Sequence, residues 1–199
     1  MTRAIHRCGL LLLLVLACAL PAGSAQAAHR ENIADATIEQ DGGRAFDFAW
    51  DVSRQRGGVI DHHNVARAAA RCVDCKATAI AFQVVIASRA NTGAPINEAV
   101  ALNLDCERCV AVAEARQFVR VVDAPVRVTG EGRSRLADVR AALSALAEQD
   151  LPVDQLHHAV EQQESRVRAV LAEELVLKSD PSERADVLSG RVVQDTDLD

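Results

Sequence analysis

The sequence predicts an α+β fold in which about three repeated β-hairpins are followed by an antiparallel helical hairpin. Three observations support this prediction. One segment matches itself at offsets of 34 and 32 residues, and within it large side chains alternate with small ones. A later stretch instead places apolar residues at helical spacing. Alternation with a period of two indicates half-buried strands, whereas helical spacing indicates amphipathic helices.

The chain begins with a segment typical of a secretory signal peptide. Two arginines precede the 13-residue run Cys8–Leu20, and Ala25-Gln26-Ala27 follows as a cleavage site. The run is too short to span a bilayer stably. We therefore assign residues 1–27 to a signal peptide and expect a secreted or cell-envelope protein with no transmembrane span once it is removed.

Cys18 supports a competing interpretation of the same segment. Val15-Leu16-Ala17-Cys18 resembles a bacterial lipobox, in which Cys18 would be lipidated and would anchor the chain to a membrane. Leu16, next to Ala17, fits that pattern poorly, and the apolar run continues past Cys18 to Leu20. Secretion without an anchor is the preferred prediction.

The net charge of the chain indicates which kinds of partner it can bind. Without residues 1–27 the chain carries 20 basic and 28 acidic residues, a net charge of −8. An acidic chain is a poor nucleic-acid binder, so we expect no nucleic acid as a partner. A partner protein of the envelope or extracellular space fits better.

The repeated segment runs from about Ala36 to Val122. Placing Cys72-Val73-Asp74-Cys75 over Cys106-Glu107-Arg108-Cys109 aligns the Ala-alternating stretches that follow. The earlier copy has Asp41-Gly42-Gly43 in place of a cysteine pair. Gly-Gly after Asp indicates a tight turn, so we predict hairpins with these three sequences at their tips. In the third copy Glu114 and Arg116 interrupt the apolar face, leaving strand or helix open there.

A mostly α fold is the alternative. The alanine-rich stretch from Ala66 to Ala87 has high helix propensity. An antiparallel helical hairpin centred near Ala90 would pair Cys72 with Cys109 and Cys75 with Cys106. The sequence leaves that connectivity open.

The region after Pro125 predicts two helices. Leucine and valine recur at helical spacing from Arg133 to Gln149, and Asp154 precedes a second such stretch. We expect the two to pair as a short coiled coil. The predicted divisions are a repeat domain at 28–128, a helical hairpin at 129–177 and a flexible acidic tail at 178–199.

The four cysteines of the two C-x-x-C pairs are the most specific chemical feature. In an exported chain they predict structural disulfides, with each pair closing its own turn. A tetrahedral zinc site formed by Cys72, Cys75, Cys106 and Cys109 is the second interpretation. A redox-active pair is the third, and it requires a stabilised thiolate. Because the first copy makes its turn with glycines and no cysteine, we favour disulfides and expect no cofactor.

His62 and His63 are weak candidate metal ligands beside Asp61, and His157-His158 is a second pair. Adjacent histidines on a strand point to opposite faces, which makes chelation of one ion difficult. The sequence contains no H-E-x-x-H, G-x-S-x-G or glycine-rich phosphate-loop motif. We therefore name no catalytic residue.

The stretch from Ala36 to Arg133 resembles a group of exported actinobacterial proteins with paired C-x-x-C units and no settled function. The resemblance rests on the alternating runs that end at Phe82-Gln83-Val84 and Gln117-Phe118-Val119. Some members carry a zinc metalloprotease label, but this sequence has no protease motif to support that activity. The sequence thus predicts a non-enzymatic structural or binding protein, with a zinc-binding protein or a thiol oxidoreductase as alternatives.

Overall fold

The computed structural model describes residues 29–91, 93–178 and 192–194. Two α-helices, a 3₁₀ turn at Ala145–Glu148 and nine strands are defined in this part of the chain. The helices are α1 (Gly130–Ser144) and α2 (Val153–Glu173). The strands are β1 (Arg30–Ile38), β2 (Arg44–Arg56), β3 (His62–Ala70), β4 (Lys76–Ser88), β5 (Ile96–Asn103), β6 (Val110–Val122), β7 (Val126–Val128), β8 (Leu175–Leu177) and β9 (Val192–Gln194).

The first six strands form two parallel sheets rather than hairpins. One sheet has the order β1-β3-β5, and the other contains β2-β4-β6 with β9 at its edge. The chain therefore crosses from one sheet to the other at every turn and completes three coils of a solenoid. The predicted β-hairpins are wrong, because the two strands of each copy pair with the next copy and not with each other.

The pairing register coincides with the offsets at which the sequence matches itself. Paired residues lie 32 positions apart between β2 and β4 and 34 apart between β4 and β6. The other sheet uses offsets of 32 and 33. The third copy, left open from sequence, is a strand from Val110 to Val122.

The mostly α alternative is also wrong. The alanine-rich stretch that suggested a helix forms β3 and β4, and its alanines are buried between the sheets. Small side chains let the two sheets approach closely, and this tertiary contact outweighs the intrinsic helix propensity of alanine. The cross-pairing of cysteines that this alternative would allow is not formed, because each cysteine lies next to the other member of its own C-x-x-C pair.

A ladder of asparagines lies among these alanines. Asn32, Asn64 and Asn97 occupy the same position in successive coils. The Asn32 amide donates to Asn64 Oδ1 at 2.7 Å, and the Asn64 amide donates to Asn97 Oδ1 at 2.8 Å. Each amide also donates to a carbonyl of the opposite sheet. The ladder therefore joins the coils to one another and the two sheets across the interior.

The helices cover the outer face of the second sheet. The apolar faces of α1 and α2 pack on the aromatic and branched residues of β2, β4 and β6. As a result β4 is buried on both faces over Ala77–Ser88, so the prediction of a half-buried strand is wrong for this element. The two helices are present as predicted, but both are short and pack against the sheet, so they do not form a coiled coil.

On one side of the solenoid, the three turns between the sheets each place a residue with positive φ at the same position. Gly42, Asp74 and Arg108 are equivalent in the three coils and have φ of 67°, 55° and 55°. Left-handed φ values are free for glycine and cost about 1–2 kcal/mol for other residues. The two turns with a non-glycine residue at this position are the two that contain cysteine pairs.

The predictions for the chain termini fall largely outside the described residues. The signal peptide, Cys18 included, lies there, as does most of the predicted acidic tail. Within that tail Val192–Gln194 forms β9, which pairs antiparallel with β6 at Val119 and Arg120. None of the described helices has the length and apolar character needed to cross a membrane.

The close approach of the sheets gives a matched pair of substitutions. Ala68 and Ala101 are equivalent in adjacent coils, yet Ala68 is buried and Ala101 is exposed. We expect Ala68→Leu to lower the free energy of unfolding by about 1–3 kcal/mol through overpacking. Ala101→Leu should change it by less than about 0.5 kcal/mol. Urea unfolding measures both, and equal losses would contradict the assigned inter-sheet layer.

Candidate functional site

A cleft of about 580 Å³ lies beside the third coil, at the end of the solenoid. It lies between the ends of the two sheets and helix α2. Its lining residues are Asn97, Ala99, Ala113, Glu114, Ala115, Arg116, His157, Glu161, Glu164 and Ser165. The cleft exists because α2 extends along β6, while no further coil follows β5 and β6 in the described chain.

The floor of the cleft is the open edge of β6. Within the described residues β6 pairs with β4 on one side, and on the other it pairs with β9 at Val119 and Arg120. The Val110 amide donates to Cys75 O on the β4 side. Because successive residues of a strand direct their main-chain groups to opposite sides, those of Ala111, Ala113 and Ala115 face the cleft.

A chain of alternating charges connects β6 to α2. Glu114 lies 2.9 Å from His157 Nδ1 and 3.0 Å from Arg116 Nη2. Arg116 Nε donates to Glu164 Oε2 at 2.8 Å, and Glu164 Oε1 accepts from Arg168 Nη2 at 2.7 Å. Glu114, Arg116 and Glu164 are buried to about nine-tenths, with side-chain exposures of 9%, 11% and 12%. Each buried charge thus has an opposite charge on either side, which offsets its desolvation.

The pKa of His157 is shifted by its position at the end of these charges. Its hydrogen bond to Glu114, with added attraction from Glu114 and Glu161, raises the pKa of His157 above its ordinary value. Partial burial opposes the shift but does not cancel it. A protonated His157 therefore completes the charge chain at its exposed end.

The sequence carried a partial indication of this site. Glu114 and Arg116 stand where Ile80 and Phe82 stand in the preceding coil. The sequence shows them as interruptions of an apolar face, but it does not reveal their partners on α2. The spacing of His157, Glu161 and Glu164 along one helix face is the feature that identifies those partners.

The cysteines lie at the turns on one side of the solenoid. The two members of each pair are at disulfide distance, with Cα atoms 6.0 Å apart for Cys72 and Cys75 and 5.9 Å apart for Cys106 and Cys109. Cys72 and Cys75 are buried in the alanine layer. The turns are joined to each other by a hydrogen bond from the Asp74 amide to Glu107 O at 2.9 Å.

The adjacent histidines point to opposite faces, as their spacing predicts. His62 is buried, lies 3.2 Å from Gln55 Oε1 through Nε2, and has no partner for Nδ1. Burial lowers the pKa of His62. His63 faces outward, with Nε2 3.3 Å from Asp61 Oδ1. His158 is an exposed residue of α2.

No protein-family model and no curated protein matches the sequence, and no solved structure matches the fold.

The raised pKa of His157 makes its contribution to stability depend on pH. A raised pKa stabilises the fold below the unfolded value of 6.5, and this stabilisation is lost as the pH rises through the folded value. We expect His157→Gln to lower Tm more at pH 5.5 than at pH 8. Thermal unfolding of the wild type and the variant at both pH values measures the difference. His158→Gln, on the exposed side of α2, serves as the control and should show no such dependence.

The buried charge chain should be more important for stability than an exposed ion pair of similar geometry. We expect Arg116→Met to lower the free energy of unfolding by about 3 kcal/mol, since Glu114 and Glu164 keep only one cationic partner each. Arg108→Met removes an exposed pair with Asp74 and should have little effect. Urea unfolding of the two variants provides the comparison. Similar losses of unfolding free energy would show that the charged residues between β6 and α2 are not buried in solution.

Proposed function

We propose that this is an exported, non-enzymatic binding protein that holds an extended, positively charged segment of another protein as an added strand on β6. One observation supports the proposal most directly. The open edge of β6 already accepts a strand, because β9 pairs with it at Val119 and Arg120. Strand addition is a common mode of peptide recognition, in which main-chain hydrogen bonds supply affinity and side-chain pockets supply specificity.

The free part of the edge has the length that this mode needs. Among the described residues Val110–Phe118 pairs with no strand on the side away from β4, although Ala115 O accepts from the Asn97 amide. At about 3.3 Å per residue, nine residues present an edge of about 30 Å. The main-chain groups of Ala111 and Ala113 and the Ala115 amide would bond the incoming strand, and α2 would flank its side chains.

Charge favours a basic segment. Carboxylates outnumber guanidinium groups in the cleft, with Glu114, Glu161 and Glu164 against Arg116. Glu161 is half-exposed. Among the described residues, the ion-pair contacts of its carboxylate are with two histidines, His157 and His158. A lysine or arginine of the added strand would reach Glu161 without breaking the buried charge chain.

The chain's own terminus is the rival occupant of this edge. β9 runs antiparallel to β6, toward the open part of the edge. The sequence after it includes Asp195, Asp197 and Asp199, whose carboxylates would add negative charge if they occupied the edge beside the glutamates. Like-charge contact disfavours that arrangement relative to a basic partner.

The cysteine pairs support the exported location. Disulfides persist in oxidising compartments, and the leader segment and the resemblance to exported C-x-x-C proteins agree with this. A thiol oxidoreductase is less well supported at Cys72 and Cys75, because a reactive pair must be reached by its substrate and these two are 6% and 3% exposed. Cys106 and Cys109 are partly exposed.

A pair of synthetic peptides tests the proposal. One is an eight-residue peptide of alternating lysine and valine, and the other carries glutamate in place of lysine. We expect the lysine peptide to bind and to slow amide hydrogen exchange at Ala111, Ala113 and Ala115. Fluorescence anisotropy measures affinity, and NMR exchange locates the contact. Equal binding of both peptides, or no protection at these three amides, would contradict the proposal.

Two variants test separately how the negative charge of the cleft and the main-chain edge of β6 contribute to peptide binding. Glu161→Gln should weaken binding of the lysine peptide by about threefold at low salt, whereas Glu131→Gln on α1 should leave it unchanged. Ala113→Pro removes a main-chain donor on the open side of β6, where proline is tolerated in an edge strand. We expect it to abolish binding with little change in Tm. A chain ending at Gln194 that binds more tightly would identify the acidic terminus as a competitor.

A further inference from the structure

At the opposite end of the solenoid three side chains converge on one point. His29 immediately precedes β1, while Asp61 and His63 lie at the start of β3. Their ligating atoms all lie within 4.8 Å of one another. We propose that His29, Asp61 and His63 form a binding site for a divalent transition metal ion such as Zn²⁺, independent of the cleft at β6.

The two nitrogen–oxygen distances are close to the ligand–ligand distances of a tetrahedral zinc site, with each histidine beside a different oxygen of Asp61. His29 Nδ1 lies 3.2 Å from Asp61 Oδ2, and His63 Nε2 lies 3.3 Å from Asp61 Oδ1. Ligands about 2.0–2.1 Å from a tetrahedral ion are about 3.3–3.4 Å apart. Two imidazoles and a carboxylate are also the ligand types that zinc accepts, with a water able to take the fourth position.

The two histidine rings contact each other beside Asp61. The rings of His29 and His63 meet edge to face, with centroids 4.6 Å apart and an interplanar angle of 88°. Asp61 contacts both rings, His29 through Oδ2 and His63 through Oδ1. Glu31 contacts the other ring nitrogen of His29 at 3.2 Å, and a carboxylate in this position fixes the orientation of a metal-bound imidazole.

The parallel register explains why these residues meet. His29 and Asp61 are 32 positions apart, the same offset as the paired residues of β1 and β3, and the Arg30 amide donates to Asp61 O at 3.2 Å. A bound ion would therefore link the first coil to the second. His62, which the sequence also offered as a ligand, is buried on the other face and does not contribute.

Zinc titration of the oxidised full-length mature chain without a polyhistidine tag tests the site. Competition with a chromophoric chelator at pH 7.5 should show one Zn²⁺ per chain with a micromolar Kd. We expect Asp61→Asn and His63→Gln each to weaken binding about tenfold or more. His158→Gln, a substitution at an exposed histidine outside the site, should leave the affinity unchanged.

Two further readouts identify the ligands. Zn²⁺ should raise the Tm of the wild type but not that of Asp61→Asn, since binding to the folded state alone stabilises it. Co²⁺ should give a visible spectrum without thiolate charge-transfer bands. The proposal is overturned if the wild type does not bind Zn²⁺, if both variants bind as the wild type does, or if the Co²⁺ spectrum shows thiolate ligands.

Discussion

The contact between the two alanine faces is the interaction on which the rest of the structure depends. Alanines such as Ala34, Ala66 and Ala81 are completely buried, so the sheets approach closely there. Further along the same layer, Gln83 and Gln117 reach across to main-chain carbonyls of the opposite sheet. The asparagine ladder lies in the same layer and bonds both along the stack and across it. Since this layer takes up the small face of every strand, the large face of the second sheet must be covered separately, and α1 and α2 cover it.

The third coil shows how the stack ends. Glu114 and Arg116 replace the apolar residues of the preceding coil and are stabilised by charges on α2. Inward-pointing charges on an edge strand are a recognised means of preventing uncontrolled strand addition. Here the same charges line the cleft, so the feature that limits stacking of identical coils would also select the strand in the proposed binding mode.

Local sequence patterns predicted the strands but not their partners. The alternation at Phe46, Phe48 and Trp50 correctly indicated β2, and the offset of 32 residues is its true register with β4. A tight turn such as Asp41-Gly42-Gly43 suits a hairpin as well as a turn between sheets, and alternation does not distinguish them. The recurrence of Asn32, Asn64 and Asn97 favours parallel stacking, because identical amides then form a ladder. Glu164 and Arg116 are 48 residues apart, and such a contact requires the position of α2, which no local pattern supplies.

The parallel register also determines when each part of the chain can fold. A strand of the first coil has no backbone partner until the residues 32 positions later have been made and are close in space. Each pairing closes a long loop before any contact is gained, and such loops slow folding. A chain that emerges from its amino terminus would therefore gain structure one coil at a time. The helices that cover the second sheet come last, so its aromatic face remains exposed to other proteins until the end of that process.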